Sequence, residues 1–237
     1  MLRVEQVSKS YGSGQVLSSV SFEAHPGRVS AIVGRNGCGK STLLAIVSGM
    51  LRPDSGRVLL ADKDLLQNPG LRACIGYLAQ GDSLFEELSV SENILFWASA
   101  AGHSSGQLSS NRFVRLLGLE EFWGKRISRL SGGMRRRVAI CAALLSDPDY
   151  ILLDEPFAGL DILYRQELVD FLLTLRKMGK AIIYTTHSAQ ELAALGDVAL
   201  LLREGEVAVR DDIHALSAAG INLQERLTSY LKGEEDL

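Results

Sequence analysis

Gly34-Arg35-Asn36-Gly37-Cys38-Gly39-Lys40-Ser41-Thr42 decides how this chain of 237 residues is read. A glycine, four residues and then Gly-Lys-Ser is the pattern of a loop that cradles phosphate groups. Its flanks agree. Val29 to Val33 is a short apolar run suited to a buried strand, and Leu43, Leu44, Ile46 and Val47 recur at helical spacing behind the loop. Gly34, Gly37 and Gly39 open backbone conformations closed to other residues, so N–H groups can converge on an anion at the positive end of the following helix. Lys40 is then a point charge for β- and γ-phosphates. Ser41 offers a hydroxyl to a magnesium ion, needed because an uncompensated triphosphate would repel an approaching nucleophile.

The length suits one α/β domain with an appendage, or two closely joined subdomains. A net charge of −3 leaves no broad basic footprint and argues against nucleic acid as a partner. Cys38, Cys74 and Cys141 are odd in number and lack metal-ligand spacing, which points to a reducing cytoplasm. No secretory leader pattern is expected at the N-terminus. Apolar runs such as Val198 to Leu202 fall far short of the roughly 20 residues that span a bilayer. Any membrane role is therefore expected to come through a partner.

Leu2, Val4 and Val7, then Val20, Phe22 and Ala24, alternate on either side of Gly12 to Gly14 and predict a small antiparallel sheet ahead of the loop. Tyr11, at the end of the first strand, is either an edge aromatic or a ring placed to stack on adenine. Pro53-Asp54-Ser55-Gly56 is expected to close the helix behind the loop, with a strand over Arg57 to Ala61. Four apolar runs then share a feature. Val29 to Val33 ends at the loop, Ile75 to Leu78 before Gln80, Tyr150 to Leu153 at Asp154-Glu155, and Ala181 to Tyr184 shortly before His187. Such runs suit parallel strands buried on both faces, and ligands of open α/β sheets gather at the carboxyl ends of the strands. One site is expected there.

Between Gln80 and Ser131 the pattern is helical. Ser89 and Glu92 form a capping box, and Val90, Ile94, Trp97 and Ala101 an apolar stripe. Gly102 to Ser110 is a Gly/Ser-rich break carrying a solvated His103, and a second helix turns Phe113, Leu116 and Leu117 to one face. Phe96, Trp97, Phe113, Phe122 and Trp123 are read as packing. Ser131 caps a helix whose Gly132 and Gly133 leave N–H groups free for a second anion, and Arg135 to Arg137 are expected on a solvated face. Asp154 suits a magnesium contact, and Glu155 a base that polarises water. Asp161 has a plain reading as a helix cap. His187 is either a core histidine or a γ-phosphate contact. Arg203-Glu204-Gly205-Glu206 is a hairpin turn, Leu223, Leu227, Tyr230 and Leu231 mark an amphipathic terminal helix, and Gly233 to Leu237 an acidic tail.

Taken in order, Gly34 to Ser41, Gln80, the signature Leu130 to Met134, Asp154-Glu155, Ala158-Gly159-Leu160-Asp161 and His187 resemble the motif set of the nucleotide-binding subunits of ATP-binding cassette (ABC) transporters. The resemblance covers nearly the whole chain. It implies an α/β fold: a P-loop NTPase core with a mostly parallel sheet, an N-terminal antiparallel β-subdomain and an inserted helical subdomain. Residues 1–237 would form a single ATPase domain, with the core in 1–87 and 131–210, the helical subdomain in 88–130, and a C-terminal helix and tail in 211–237.

The implied cofactors are ATP and Mg2+. By the resemblance, Tyr11 stacks on adenine, while Gly34, Arg35, Asn36, Gly37, Cys38, Gly39, Lys40, Ser41 and Thr42 hold the phosphates. Ser41, Gln80 and Asp154 serve the metal, and Glu155 is the catalytic base beside His187, Lys40 and Gln80. Ser131, Gly132 and Gly133 close over ATP held by a second cassette, identical or different, in a head-to-tail dimer across which Asp161 communicates. The implied function is ATP hydrolysis driving transport through a separate transmembrane permease. The chain would sit in the cytoplasm on the inner face of the cell membrane, touching the membrane only through that partner, with no nucleic acid. Met134 stands where glutamine is commonest, and with Arg135 to Arg137 it resembles exporter-type cassettes, so export is expected. The alternative is a soluble cassette ATPase driving an assembly reaction such as iron-sulfur cluster biogenesis. Cys38, inside the loop, is expected to react with thiol reagents and to be shielded by ATP.

Overall fold

A computed structural model describes residues 1–81, 83–102 and 111–232. The uninterrupted apolar runs become strands buried on both faces. β3 (Val29–Val33), β6 (Ile75–Leu78), β7 (Tyr150–Leu153), β8 (Ala181–Thr186) and β9 (Val198–Arg203) lie parallel, and β10 (Glu206–Asp212) adds an antiparallel edge, in the order β10-β9-β3-β8-β7-β6. The two-residue period of a strand sorts their side chains into two cores. Val29, Ala31, Val33, Ile151, Leu153, Ile182 and Tyr184 enter the core on one face. Ile32, Leu152, Ile183 and Leu200 enter the other.

Helices cover the first face: α2 (Val90–Ala100), α3 (Arg112–Leu116), α4 (Gly132–Leu144), α5 (Ile162–Lys177) and α6 (Ala189–Leu195). The second face packs on α1 (Lys40–Val47) and on a four-stranded antiparallel sheet, β1 (Leu2–Tyr11), β2 (Gly14–Ala24), β4 (Ser55–Leu60) and β5 (Lys63–Asp64), in the order β2-β1-β4-β5. Val4 and Val7 are three apart, yet both are buried, because Gln6 at φ 49° and Ser19 at φ 50° shift the β1–β2 register between them.

Three helices differ in detail from the sequence pattern. α1 stops at Val47, well before Pro53, because Gly49 takes φ 75° and the Met50 N–H returns to the Ala45 carbonyl at 3.0 Å. α2 keeps its capping box, but buries Val90, Asn93, Ile94 and Ala98, while Ala101 is its exposed C-terminal cap. Asn93 is tolerated there because its amide is satisfied, bonding the Phe85 N–H and carbonyl at 2.8 and 3.1 Å and the Ser89 carbonyl at 3.0 Å. In α3, Phe113 and Val114 are buried and Leu116 is exposed.

The C-terminal segment is tied to the sheet by a buried carboxylate. Asp197 accepts the Val29 N–H at 2.8 Å and meets Arg176 at 2.7 Å and His214 at 2.9 Å. β10 runs past residue 210 to Asp212, which caps α7 (Ile213–Ala218). In α8 (Leu223–Lys232), Leu227 and Tyr230 are buried against the first-face core. The expectations for His103, for residues 103–110 of the polar break, for the Leu231 side chain and for the tail from Gly233 lie outside the described residues.

Candidate active site

Four neighbouring parallel strands, β3, β8, β7 and β6, end side by side. Their carboxyl ends deliver, in that order, the phosphate loop, His187, Asp154-Glu155 and Gln80. With strands about 4.8 Å apart, these groups are spread over roughly 15 Å of one end of the sheet. His187 is exposed just beyond β8, which removes the core reading, and Gln80 is exposed beyond β6.

The phosphate loop needs its glycines. Gly37 and Gly39 take φ of 81° and 103°, and a Cβ on Gly39 would stand 2.9 Å from Leu17 Cδ2. A Cβ on Gly34 would meet the Leu202 carbonyl oxygen at 2.5 Å. Lys40 is buried, and its Nζ donates to the Gly34 and Arg35 carbonyls at 2.9 and 3.0 Å, which holds the ammonium inside the curl. Arg35, Asn36 and Ser41 are exposed, and Thr42 is half-buried. Burial pushes the Cys38 thiol up, with Lys40 opposing, so the thiol is less reactive than its place in the loop suggested.

Asp154 and Glu155 are held by different neighbours. Asp154 is 1% exposed; Thr185 Oγ1 donates to its Oδ1 at 2.7 Å, and its Oδ2 is buried with no hydrogen-bond partner. Thr185 Oγ1 also accepts the Glu155 N–H at 2.7 Å, so one hydroxyl from β8 joins both carboxylate residues of β7. Burial and the Asp154 charge push the nearby Tyr77 phenol up to about 12, which keeps it neutral. Glu155 has φ 45°, an uncommon conformation for a residue with a side chain.

The arginines of α4 are not a solvated face. Arg135 pairs with Glu86 at 3.1 Å, Arg137 pairs with Glu167 and lies 5.0 Å from the Tyr164 ring centre, and Arg136 bonds backbone carbonyls at the β7 end. Ser131 caps α4 by accepting the Met134 N–H. Gly133 sits against Tyr164, whose ring atoms would lie 2.7 Å from a Cβ there. Asp161 caps α5 through the Tyr164 N–H at 3.0 Å, the plain reading of that residue.

A cleft of about 340 Å³ gathers Gln80, Gly132, Arg136, Asp154, Glu155 and Gly159. Gly34, Arg35 and Cys38 line a separate one against Arg203 and Tyr230. Tyr11, exposed at the end of β1 with Lys9 Nζ 5.8 Å from its ring centre, lines neither; nor do His187, Ser131, Gly133 and Asp161. Thr185, Arg136 and Tyr164 were missed by sequence reasoning. For Thr185 a signal existed, a hydroxyl pair interrupting an apolar strand at its carboxyl end.

A family model described as "ABC transporter" matches residues 17–158, from β2 through the Asp154-Glu155 turn. The chain belongs to the ABC transporter family. A shorter match, residues 126–193, is to an "AAA domain, putative AbiEii toxin, Type IV TA system". This cassette is 42% identical over 191 residues to the molybdenum import ATP-binding protein ModC of Brucella suis biovar 1 (strain 1330), covering 78% of the chain and 53% of that protein. It is 38% identical over 207 residues to the spermidine/putrescine import ATP-binding protein PotA of Thermotoga maritima, covering 86% and 56%. The cassette thus spans little more than half the length of these two relatives. A dimeric ATP-binding cassette solved in a post-hydrolysis state with ADP and Pi superimposes with a TM-score of 0.80 at 28% identity, over 90% of this chain and 99% of that one. Both sequence relatives are named for import, so the expectation of export finds no support in them.

Proposed function

We propose that this cassette binds and hydrolyses Mg-ATP as the nucleotide-binding subunit of a membrane transporter, closing head to tail with a second cassette around two nucleotides. The observation that carries the reading is the buried, unpartnered Oδ2 of Asp154, fixed beside Glu155 at the strand edge shared with the phosphate loop. An unmatched buried carboxylate oxygen costs on the order of 1–3 kcal/mol, and a cation or its water at that point would recover the cost. Among the described residues no three His, Cys, Asp or Glu cluster to hold a metal by themselves. That suits magnesium, which leans on nucleotide oxygens and waters, with Asp154, the Ser41 hydroxyl and Gln80 as the protein's share. When bound, the ion neutralises charge on the β- and γ-phosphates.

The chain's own groups do the rest. Lys40 and the loop amides hold the phosphates, and Tyr11 offers an exposed ring to adenine. Glu155 orients a water and takes its proton as the oxygen bonds to the γ-phosphorus and ADP leaves, with His187 and Gln80 aligning the transferred group. Ser131, Gly132 and Gly133 serve the partner's nucleotide.

A transmembrane permease is the proposed partner. Among the described residues no helix is long and apolar enough to cross a membrane. A cleft of about 500 Å³, lined by Met50, Tyr77, Trp97, Ala100, Ala139 and Ala142, supports docking of an apolar segment beside the exposed Phe85 and Phe96. The chain would then sit peripherally on the cytoplasmic face. The relatives' names make uptake the direction to test. Glu155→Gln with ATP and magnesium should migrate as a dimer in size exclusion. A variant that binds ATP yet stays monomeric at high concentration refutes the sandwich, and detergent co-purification without a polytopic protein refutes the permease.

A further inference from the structure

We infer that Arg136 is a positioning residue for the reaction: it holds the turn that carries Glu155 and ties that turn to the helix that begins at the signature glycines. The inference rests on the reading of Glu155 as the base. Glu155 lines the cleft from a backbone with φ 45°, which a non-glycine residue holds only when its surroundings impose it. The structure shows what does so. Thr185 takes the Glu155 N–H at 2.7 Å from the β8 side. From the α4 side, Arg136 Nη2 donates to the Asp154 and Glu155 carbonyls at 3.1 and 2.7 Å, and its Nε to the Pro156 carbonyl at 2.9 Å. Three consecutive carbonyls are gripped by one planar fork, a task an ammonium cannot copy.

Arg136 lies four residues after Gly132, on the same face of α4, and both line the cleft that holds Glu155. A shift of the signature end of α4 therefore moves the guanidinium, and with it the three carbonyls around the base. Closure of the signature on a partner's nucleotide would in this way be felt by the base of the same chain.

The test uses the full chain, with steady-state ATPase kinetics, fluorescent-nucleotide binding to the monomer and thermal melting. Arg136→Ala should lower kcat by about 30-fold or more, since misplacing the base forfeits part or all of the roughly 10²–10⁴-fold that a positioned base contributes. KM and the nucleotide Kd should stay within about twofold, the pattern of an interaction made only in the transition state. Added guanidinium ion should restore part of the rate, and Arg136→Lys should restore less than about a tenth of it, since a point donor replaces a fork. Arg136→Gln carries the same expectation if the alanine variant does not fold. A kcat within about twofold of wild type overturns the inference. So does a loss of kcat, Kd and melting temperature together that guanidinium does not relieve, which marks a merely structural side chain. If the wild-type protein binds ATP but never hydrolyses it, the reading of Glu155 fails first and this inference with it. Normal wild-type turnover with an unaffected Arg136→Ala sinks this inference alone.

Discussion

Replacing Thr185 by valine keeps the shape of a fully buried side chain and removes a single hydroxyl that serves two neighbours. Asp154 Oδ1 loses a donor at 2.7 Å, leaving both carboxylate oxygens without a protein partner. A hydrogen bond to a charged group is worth about 1.5–3 kcal/mol. The Glu155 N–H, part-buried and now unmatched, adds about 1 kcal/mol, the low end for such groups. The summed loss is about 3 kcal/mol, or a fall of roughly 6–12 °C in melting temperature for a domain of this size. Urea unfolding of the two proteins at one pH measures it, alongside a magnesium titration of ATPase activity, whose half-saturation should rise. Thr185→Ser keeps the hydroxyl and loses one methyl, so it should cost only about 1 kcal/mol and leave the magnesium response alone. A valine variant within about 0.5 kcal/mol of wild type, the scatter of an unremarkable surface change, with unchanged magnesium half-saturation, would refute the claim that Thr185 builds the carboxylate pair.

Gly133→Ala would drive a methyl to 2.7 Å from the Tyr164 ring. It should cost about 1–3 kcal/mol by overpacking, and Tyr164→Ala should relieve it, which a double-mutant cycle on unfolding free energy reads directly; strict additivity would show that the two do not touch. Because burial raises the Cys38 thiol, its alkylation near pH 7 should be slow, should accelerate as pH rises through the raised value, and should be slowed further by ATP. Stopped-flow labelling that is fast and independent of pH would contradict the half-buried placement. The Ser89 hydroxyl, and then its amide, hold the Glu92 carboxyl below its ordinary value. A lowered folded pKa gives stability that is complete above the unfolded value and lost as pH falls through the folded one. Urea midpoints taken from about pH 6 down to about pH 3 should therefore show a shallower acid limb for Ser89→Ala than for wild type.

β3, β6, β7 and β8 were legible because each is one continuous apolar run, and the polar residues that follow them lie at one end of the sheet; β10, whose residues alternate in exposure, left no such run. Gly34, Gly37 and Gly39 were legible from the loop pattern, and the fold gives each a reason: positive φ at Gly37 and Gly39, and the Leu202 carbonyl crowding Gly34. What could not be read was any contact between a side chain and a distant carbonyl or amide. Arg136 and Pro156 are 20 residues apart, and Glu155 and Thr185 are 30 apart, so no period or spacing connects them. The exposed Ala101 and Leu116 show a related limit. Helical spacing locates a stripe, but where it ends depends on what the helix packs against.

The three arginines of α4 bring these points together. Three charges in a row on a helix of an acidic protein suggested solvent, and their likeness to other cassettes suggested a direction of transport. In the folded chain Arg135 reaches Glu86 in the segment after Gln80, Arg136 takes the carbonyls of the turn that carries Glu155, and Arg137 packs on Tyr164 in the helix that Asp161 caps. One short helix that begins at the signature glycines is thus joined to the segments carrying Gln80, Glu155 and Asp161. Each joint is a charge-assisted bond or a stacked guanidinium, directional enough to set an orientation, with the exposed Arg135–Glu86 pair the weakest of them. A helix tethered in this way cannot move at its glycine end without disturbing the other three. The arginines are therefore better explained by the chemistry of one cassette than by the direction in which a transporter works.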